Sequence, residues 1–221
     1  MWCVVWECGK LKCMKNTVVY LIRHAETVAE TGERNTHEDA QSINEKEILS
    51  VEGEAQAKAL SKQRELKRLD AVWSSPYTRA KATAKYIAAA NHCAYNLDEE
   101  LVERKLGNLR ELAVFMQGKA TRDPSQEQLL DQTFRTSDGE SAEQTKARMN
   151  RFMAKILATY PGKRVAVISH GGSIKFFLLN WCSVNADVKL VYQANVLHIT
   201  SPCLLKLTFR GNELVNLEQL N

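Results

Sequence analysis

Residues 17–27 read TVVYLIRHAET. The first seven are β-branched or apolar, with almost no polar interruption, and they end on Arg23. That is how a strand buried on both faces reads, as opposed to one that alternates between core and water. Two further stretches have the same character, DAVWSS at 70–75 and KRVAVIS at 163–169. The former runs directly into SPYTRAKATAKYIAAAN at 75–91, a helix that Ser75 can cap, that Pro76 suits in its first turn, and that Asn91 can stop. The latter turns through His170-Gly171-Gly172 into the helical SIKFFLLNWC at 173–182.

The remaining segments fit around these three strands. Residues 24–48 form a polar loop, and 50–68 have helical composition, with Ser50 as cap and Ala57, Leu60 and Leu66 as an apolar stripe. A short strand is expected at 95–97, followed by an irregular insertion at about 98–138 with short helices in it. Residues 140–160 make a long amphipathic helix with Met149, Phe152, Met153, Ile156 and Leu157 on one side, ended by Pro161 and Gly162. At the C-terminus CLLKLTF and ELVNLEQL flank Arg210-Gly211-Asn212 as a hairpin. Strands alternate with helices, so the class is α/β with a mostly parallel sheet. No internal repeat or linker invites a cut, so residues 14–221 read as a single domain, and residues 1–13, ahead of a second plausible start at Met14, as an extension of doubtful structure.

Composition bounds the function. The chain has 221 residues, 44% apolar and 25% charged, which is ordinary globular usage and excludes disorder or low complexity as a description of the whole. Thirty basic against 26 acidic residues give a net charge of +4. That is too mild to argue for nucleic acid, which usually needs a concentrated basic face, but it is compatible with a local site for a small anion. No apolar run reaches the roughly 18 residues of a membrane span, and the N-terminus lacks the pattern of a secretory signal. The six cysteines therefore read as reduced thiols of a cytoplasmic protein. Cys3, Cys8 and Cys13 are evenly spaced but match no usual zinc pairing.

Three short segments carry the chemistry: Arg23-His24 at the end of the first strand, Ser75 to Arg79 after the second, and His170-Gly171-Gly172 after the third. Ligands of open α/β sheets bind beyond the carboxyl ends of the strands, so two histidines and two arginines can meet in one crevice. Arg23 and Arg79 can each offer a planar fork to phosphoryl oxygens. Arg79 would lie in the first turn of its helix, where backbone N–H groups also favour anions. Gly171 and Gly172 would let the backbone bend and approach a ligand closely. His24, largely neutral at pH 7 and flanked by arginines, keeps a lone pair that can attack phosphorus, while His170 would donate to the equatorial oxygens. A leaving alkoxide needs a proton, and a carboxyl beside a phosphoryl dianion tends to keep one because like charges repel. Glu103 is the candidate, with Glu26, Glu52, Glu99, Glu100 and Glu111 in competition. His37, His92 and His198 read as structural or solvated. A zinc site built on His24, His170 and a carboxylate lacks the paired HExxH or HxH spacing.

Taken in order, RHAET at 23–27, LSVEGEAQA at 49–57, SSPYTRAKATA at 74–84, LVERKLG at 101–107, GES at 139–141 and SHGG at 169–172 resemble the signatures of the histidine phosphatase superfamily, the phosphoglycerate mutase-like group, over roughly residues 15–210. Any one of them is weak; six in the family's order are not chance. The resemblance implies a three-layer sandwich in which helices flank a mostly parallel central sheet, and a metal-independent phosphatase that needs no cofactor and acts on a small phosphorylated substrate. It implies His24 as nucleophile, Glu103 as acid–base, and Arg23, Arg79 and His170 on the phosphoryl group, with Thr27 and Gly171 among the binding residues. Whether the chain forms a homodimer is open at this point. Two departures stand out. Ala25 occupies the family's usual glycine position, so the loop must take an ordinary backbone region there. Glu30 stands where the sugar-phosphate mutases tend to have Asn, and a carboxylate pointing inward would repel a phosphorylated substrate. Glu30 thus favours a phosphatase over a mutase dependent on a bisphosphorylated primer, while Ala25 is the one feature that supports a third reading, a catalytically silent phosphate-binding protein. Specificity is expected in 28–48 and 105–138, where Lys105, Arg110, Lys119, Arg122 and Arg135 offer further cations.

Overall fold

The computed structural model describes residues 15–28, 40–119 and 121–221. The extension at 1–13, the cysteines within it, Glu30 and His37 lie outside the described residues. The strands are β1 (Thr17–Arg23), β2 (Ala71–Ser74), β3 (Tyr95–Leu97), β4 (Arg164–Ser169), β5 (Ser183–Val184), β6 (Leu190–Tyr192), β7 (Asn195–Val196), β8 (Cys203–Arg210) and β9 (Glu213–Gln219). The helices are α1 (Ala40–Lys46), α2 (Val51–Leu60), α3 (Thr78–Ala90), α4 (Leu109–Met116), α5 (Pro124–Glu127), α6 (Ala142–Thr159) and α7 (Gly171–Leu178).

Six strands form one sheet in the order β3-β2-β4-β1-β8-β9. The first four run parallel, and the C-terminal hairpin adds β8 and β9 antiparallel at one side. Alternate side chains of the central strands enter two different cores. Val19 and Leu21 of β1, Val165 and Val167 of β4, and Leu205 and Leu207 of β8 pack with Met149, Phe152, Ile156, Phe176 and Phe177 of α6 and α7. Tyr20, Ile22, Ala166, Ile168 and Leu204 point the other way, against Leu60 of α2 and Ala80, Ala84 and Ile87 of α3. This two-sided burial is why the strands read as unbroken apolar runs, and it makes the α/β three-layer sandwich.

Local signals set the helix ends. Ser50 caps α2 by accepting from Gly53 N–H at 2.9 Å. Ser141 and Gln144 close a reciprocal capping box on α6. Asn91 ends α3, and its side chain ties back to Leu66 and Ile87 carbonyls at 2.8 and 2.9 Å. The expected helix at 50–68 stops at Leu60 and resumes only as a 3₁₀ turn at Arg64–Leu66. Two elements were not expected: α1, inside the polar loop at 24–48, and a small antiparallel sheet of β5, β6 and β7 beyond α7. Between residues 98 and 138 lie a 3₁₀ turn at Glu99–Leu101, α4 and α5.

Candidate active site

Strand register places the site. Arg23 of β1 is level with Ser169 of β4, and Ser74 of β2 with Ile168. The residues that follow, His24, His170 and Ser75, therefore leave three neighbouring parallel strands at one edge of the sheet. Backbone bonds continue the ladder past the strand ends, with His24 N–H donating to Ser169 O at 3.1 Å and Ser75 N–H to Ile168 O at 3.0 Å. From there α3 brings in Arg79 in its first turn, and α7 starts at Gly171 with His170 as its N-cap.

His24 is buried at 4% exposure. Its Nδ1–H donates to the Ala25 carbonyl at 2.8 Å, and its Nε2 accepts from Arg79 Nε–H at 3.0 Å. The two contacts together assign the tautomer: the proton is on Nδ1 and the lone pair on Nε2. Burial first, and the Arg79 and Arg23 cations next, hold the ring well below the ordinary histidine value, so it is neutral. His170 is wholly buried, its ring centroid 5.2 Å from that of His24. It too is driven well below its ordinary value, by burial and then by Arg79. Its Nε2 lies 2.8 Å from Ser75 Oγ, whereas its buried Nδ1 has no hydrogen-bond partner among the described residues. That nitrogen is a polar atom left over for a ligand.

Ser75 serves this histidine instead of capping a helix. α3 starts later, at Thr78, and its N-cap Tyr77 makes no side-chain cap bond. Ser75 Oγ accepts from Tyr77 N–H at 3.2 Å, which fixes the turn.

Arg79 is 3% exposed. Besides His24, it donates to Asn44 O through Nη1 and to Asn44 Oδ1 through Nη2 at 2.9 Å, and Glu47 lies 3.6 Å away. Burial lowers its pKa and Glu47 opposes that, leaving it a cation at neutral pH. Arg23 Nη1 donates to Ile199 O at 2.8 Å, and Ser201 Oγ donates to His24 O at 2.7 Å, so the segment before β8 clamps the end of β1.

The glycines at 171 and 172 are not sharp bends. Both are helical, and neither has positive φ. Their value is clearance: a Cβ on Gly171 would meet Arg23 Nε at 3.2 Å, and one on Gly172 would meet Glu103 Oε1 at 2.7 Å. Glu103 lies over the first turn of α7, where its carboxylate accepts from Gly172 N–H and Ser173 N–H, each at 3.0 Å, and from Arg104 N–H at 2.7 Å. The N–H groups of the α7 terminus thus serve Glu103. Of the competing carboxylates, Glu26 accepts from Ser50 Oγ at 2.7 Å, Glu100 pairs with Arg151, and Glu111 holds Ser137; Glu52 and Glu99 are exposed. Thr27 is buried, with its hydroxyl donating to Glu47 at 3.0 Å, so it reaches Arg79 through that carboxylate.

The role of LSVEGEAQA, unread in the sequence, is to brace the loop that carries His24. Ser50 Oγ donates to Glu26 Oε1, Gln56 Oε1 accepts from Glu26 N–H at 3.1 Å, and Gly53 lies so close that a Cβ there would be 2.0 Å from Glu26 O. Ala25 keeps an ordinary backbone conformation and packs its methyl with Leu49 and Ala57. Beside the site, a cavity of about 510 Å³ is lined by Gln41, Asn44, Glu45, Lys105, Asn108 and Asp138, among others. No group of three metal-ligating side chains occurs among the described residues, and no helix among them is long and apolar enough to cross a membrane.

The chain is 28% identical over 189 residues to a metal-independent phosphoserine phosphatase of Arabidopsis thaliana, covering 83% of this chain and 76% of that one. It is 30% identical over 157 residues to a protein of Citrobacter koseri named as a probable phosphoglycerate mutase, covering 69% of each. Among solved structures it superposes on a mycobacterial glucosyl-3-phosphoglycerate phosphatase with a TM-score of 0.66 at 19% identity, covering 93% of this chain and 98% of that one. The family model of the histidine phosphatase superfamily (branch 1) matches residues 19–219, from the first strand to the last, and the chain belongs to that superfamily.

Proposed function

We propose that the chain hydrolyses small phosphomonoesters without a metal, by transferring the phosphoryl group to His24 Nε2 and then to water. The observation that carries this reading is the fixed tautomer of His24: a buried neutral imidazole whose lone pair meets the Arg79 guanidinium at 3.0 Å. A phosphoryl dianion entering there displaces Arg79 Nε from the nitrogen and takes its hydrogen bond onto an oxygen. Arg23 and the unpartnered Nδ1 of His170 are the further groups for its oxygens.

In the first step the Nε2 lone pair forms the N–P bond, the P–O bond to the leaving group breaks, and the leaving oxygen takes a proton from Glu103, whose carboxylate binds that proton as the phosphoryl dianion enters beside it. The imidazolium charge that results is stabilised by the Nδ1–H bond to Ala25 O. In the second step Glu103, now a carboxylate, removes a proton from water as the water oxygen attacks phosphorus. The N–P bond breaks, its electrons return to Nε2, and inorganic phosphate leaves. Proton and charge balance close over the two steps. The leaving alcohol would face the 510 Å³ cavity, whose lining mixes carboxamides with Glu45, Asp138 and Lys105. We also infer a reducing, cytoplasmic setting, which the free thiols of Cys93, Cys182 and Cys203 support.

The test is release of phosphate from an aryl phosphate with chelator present. His24→Ala is expected to abolish it, and Glu103→Gln to slow turnover by about 10²–10⁴-fold, the weight of one acid–base group. Undiminished turnover by His24→Ala would refute the mechanism. Isomerisation of 3-phosphoglycerate on addition of a bisphosphorylated primer would instead identify a mutase.

A further inference from the structure

Arg148 is a buried arginine in α6 with no place in the chemistry above, yet its hydrogen bonds lead to the surroundings of Glu103. It is 6% exposed. Its Nε and Nη2 form a two-pronged pair with Glu140 at 3.0 and 3.1 Å. Nη1 donates to Glu100 O at 2.7 Å, and Nη2 also donates to Ser173 Oγ at 3.2 Å. That last bond decides a direction. With its oxygen accepting from Arg148, the Ser173 hydroxyl donates its own proton, and its nearest acceptor is Val102 O at 2.7 Å, with Glu103 Oε1 at 3.3 Å. The backbone just before Glu103 is thereby tied to the α7 terminus. The other flank is tied by the same pair: Glu140 Oε2 accepts from Lys105 N–H at 3.1 Å, and Glu140 N–H donates to Lys105 O at 2.9 Å. Burial pulls the Glu140 carboxyl up, but Arg148 and Lys105 outweigh it and hold it below its ordinary value, so the clamp is an ion pair.

We propose that the Arg148–Glu140 pair is a positioning device that fixes residues 102–105 on both sides of Glu103 and so aims its carboxyl at the leaving-group oxygen. This rests on the reading of Glu103 as acid–base. Neither residue touches the reacting atoms; the GES segment at 139–141 acts through the backbone that it grips.

The two half-reactions separate this role from a merely structural one. Transfer from p-nitrophenyl phosphate to His24 expels an acidic phenol that needs little proton donation. Transfer from an alkyl phosphate such as glycerol 2-phosphate needs the acid, and hydrolysis of the phosphoenzyme needs the base. Arg148→Gln is expected to leave the first-turnover burst of nitrophenolate within about threefold of wild type. Steady-state turnover and the alkyl phosphate rate should fall by about 10–100-fold, the scale of a misplacement of about 1 Å. Phosphoenzyme should accumulate. Glu140→Gln should give the same split, and serves alone if Arg148→Gln does not fold. Combined with Glu103→Gln, either change should cost little more than Glu103→Gln alone, because positioning matters only if there is a carboxyl to position. Equal losses in burst and steady state, additive losses in the double variant, or no loss at all would overturn the proposal. If Glu103→Gln itself shows no split, the acid–base reading fails instead; if only Glu103→Gln shows it, the positioning claim alone fails.

Discussion

Two buried neutral imidazoles side by side have a consequence for stability. His24 and His170 both have folded pKa values well below their ordinary 6.5, from burial first and neighbouring cations second. In the unfolded chain each takes up a proton as pH falls through about 6.5, whereas in the folded chain neither does until far lower. The unfolded state then binds more protons, so stability is fully present above about 6.5 and is lost as pH drops below it, by up to about 1.4 kcal/mol per pH unit for each ring. Urea midpoints measured from pH 7.5 to 5 should fall in the wild type, and fall less steeply when His170 is replaced by Asn. A flat wild-type profile would contradict the neutral, buried state of the pair. At this scale much of the candidate site was legible, because Arg23 ends a strand, His24 and His170 each follow one directly, and Arg79 lies at a helix start. Ser75 was misread because a serine before a proline looks the same whether it caps a helix or holds a ring. Asn44 and Glu47 went unread because what they grip, Arg79, is 35 and 32 residues away and no local pattern links them.

At the scale of elements, the brace between α2 and the β1 loop is the least obvious determinant. Gly53 has ordinary φ, so its glycine character is not conformational; Glu26 O occupies the space a side chain would need. Gly53→Ala is therefore expected to cost about 1–3 kcal/mol, the range for overpacking a filled site. It should also lower turnover, since the displaced loop carries His24. Thermal unfolding and aryl phosphate hydrolysis read the two effects, and an unchanged melting temperature would show that the loop is not gripped there. The strands β1, β2 and β4 were readable because burial on both faces leaves no polar interruptions. The strands β5, β6 and β7, of two or three residues each, are too short to show alternation, and α1 carries too few apolar residues to show a stripe.

For the whole molecule, parallel register makes the site. Three strands ending level deliver two histidines and a serine to one edge, and the helices that follow two of them deliver Arg79 and the seat of Glu103. The architecture was legible because order along the chain translates directly into neighbourhood in a parallel sheet. The course of residues 98–138 was not, because its short helices are fixed by tertiary contacts such as Gln126 with Val188 and not by any period of their own. The central claim is that phosphorus becomes bonded to nitrogen at residue 24. Its most direct test is to mix Glu103→Gln, whose second step should be slow, with a ³²P-labelled phosphomonoester, quench in alkaline detergent and map the labelled peptide. The account predicts acid-labile, alkali-stable label on the peptide containing His24, absent in the His24→Ala combination. Hydrolysis that proceeds with no labelled protein at any time, or label on another residue, would contradict it.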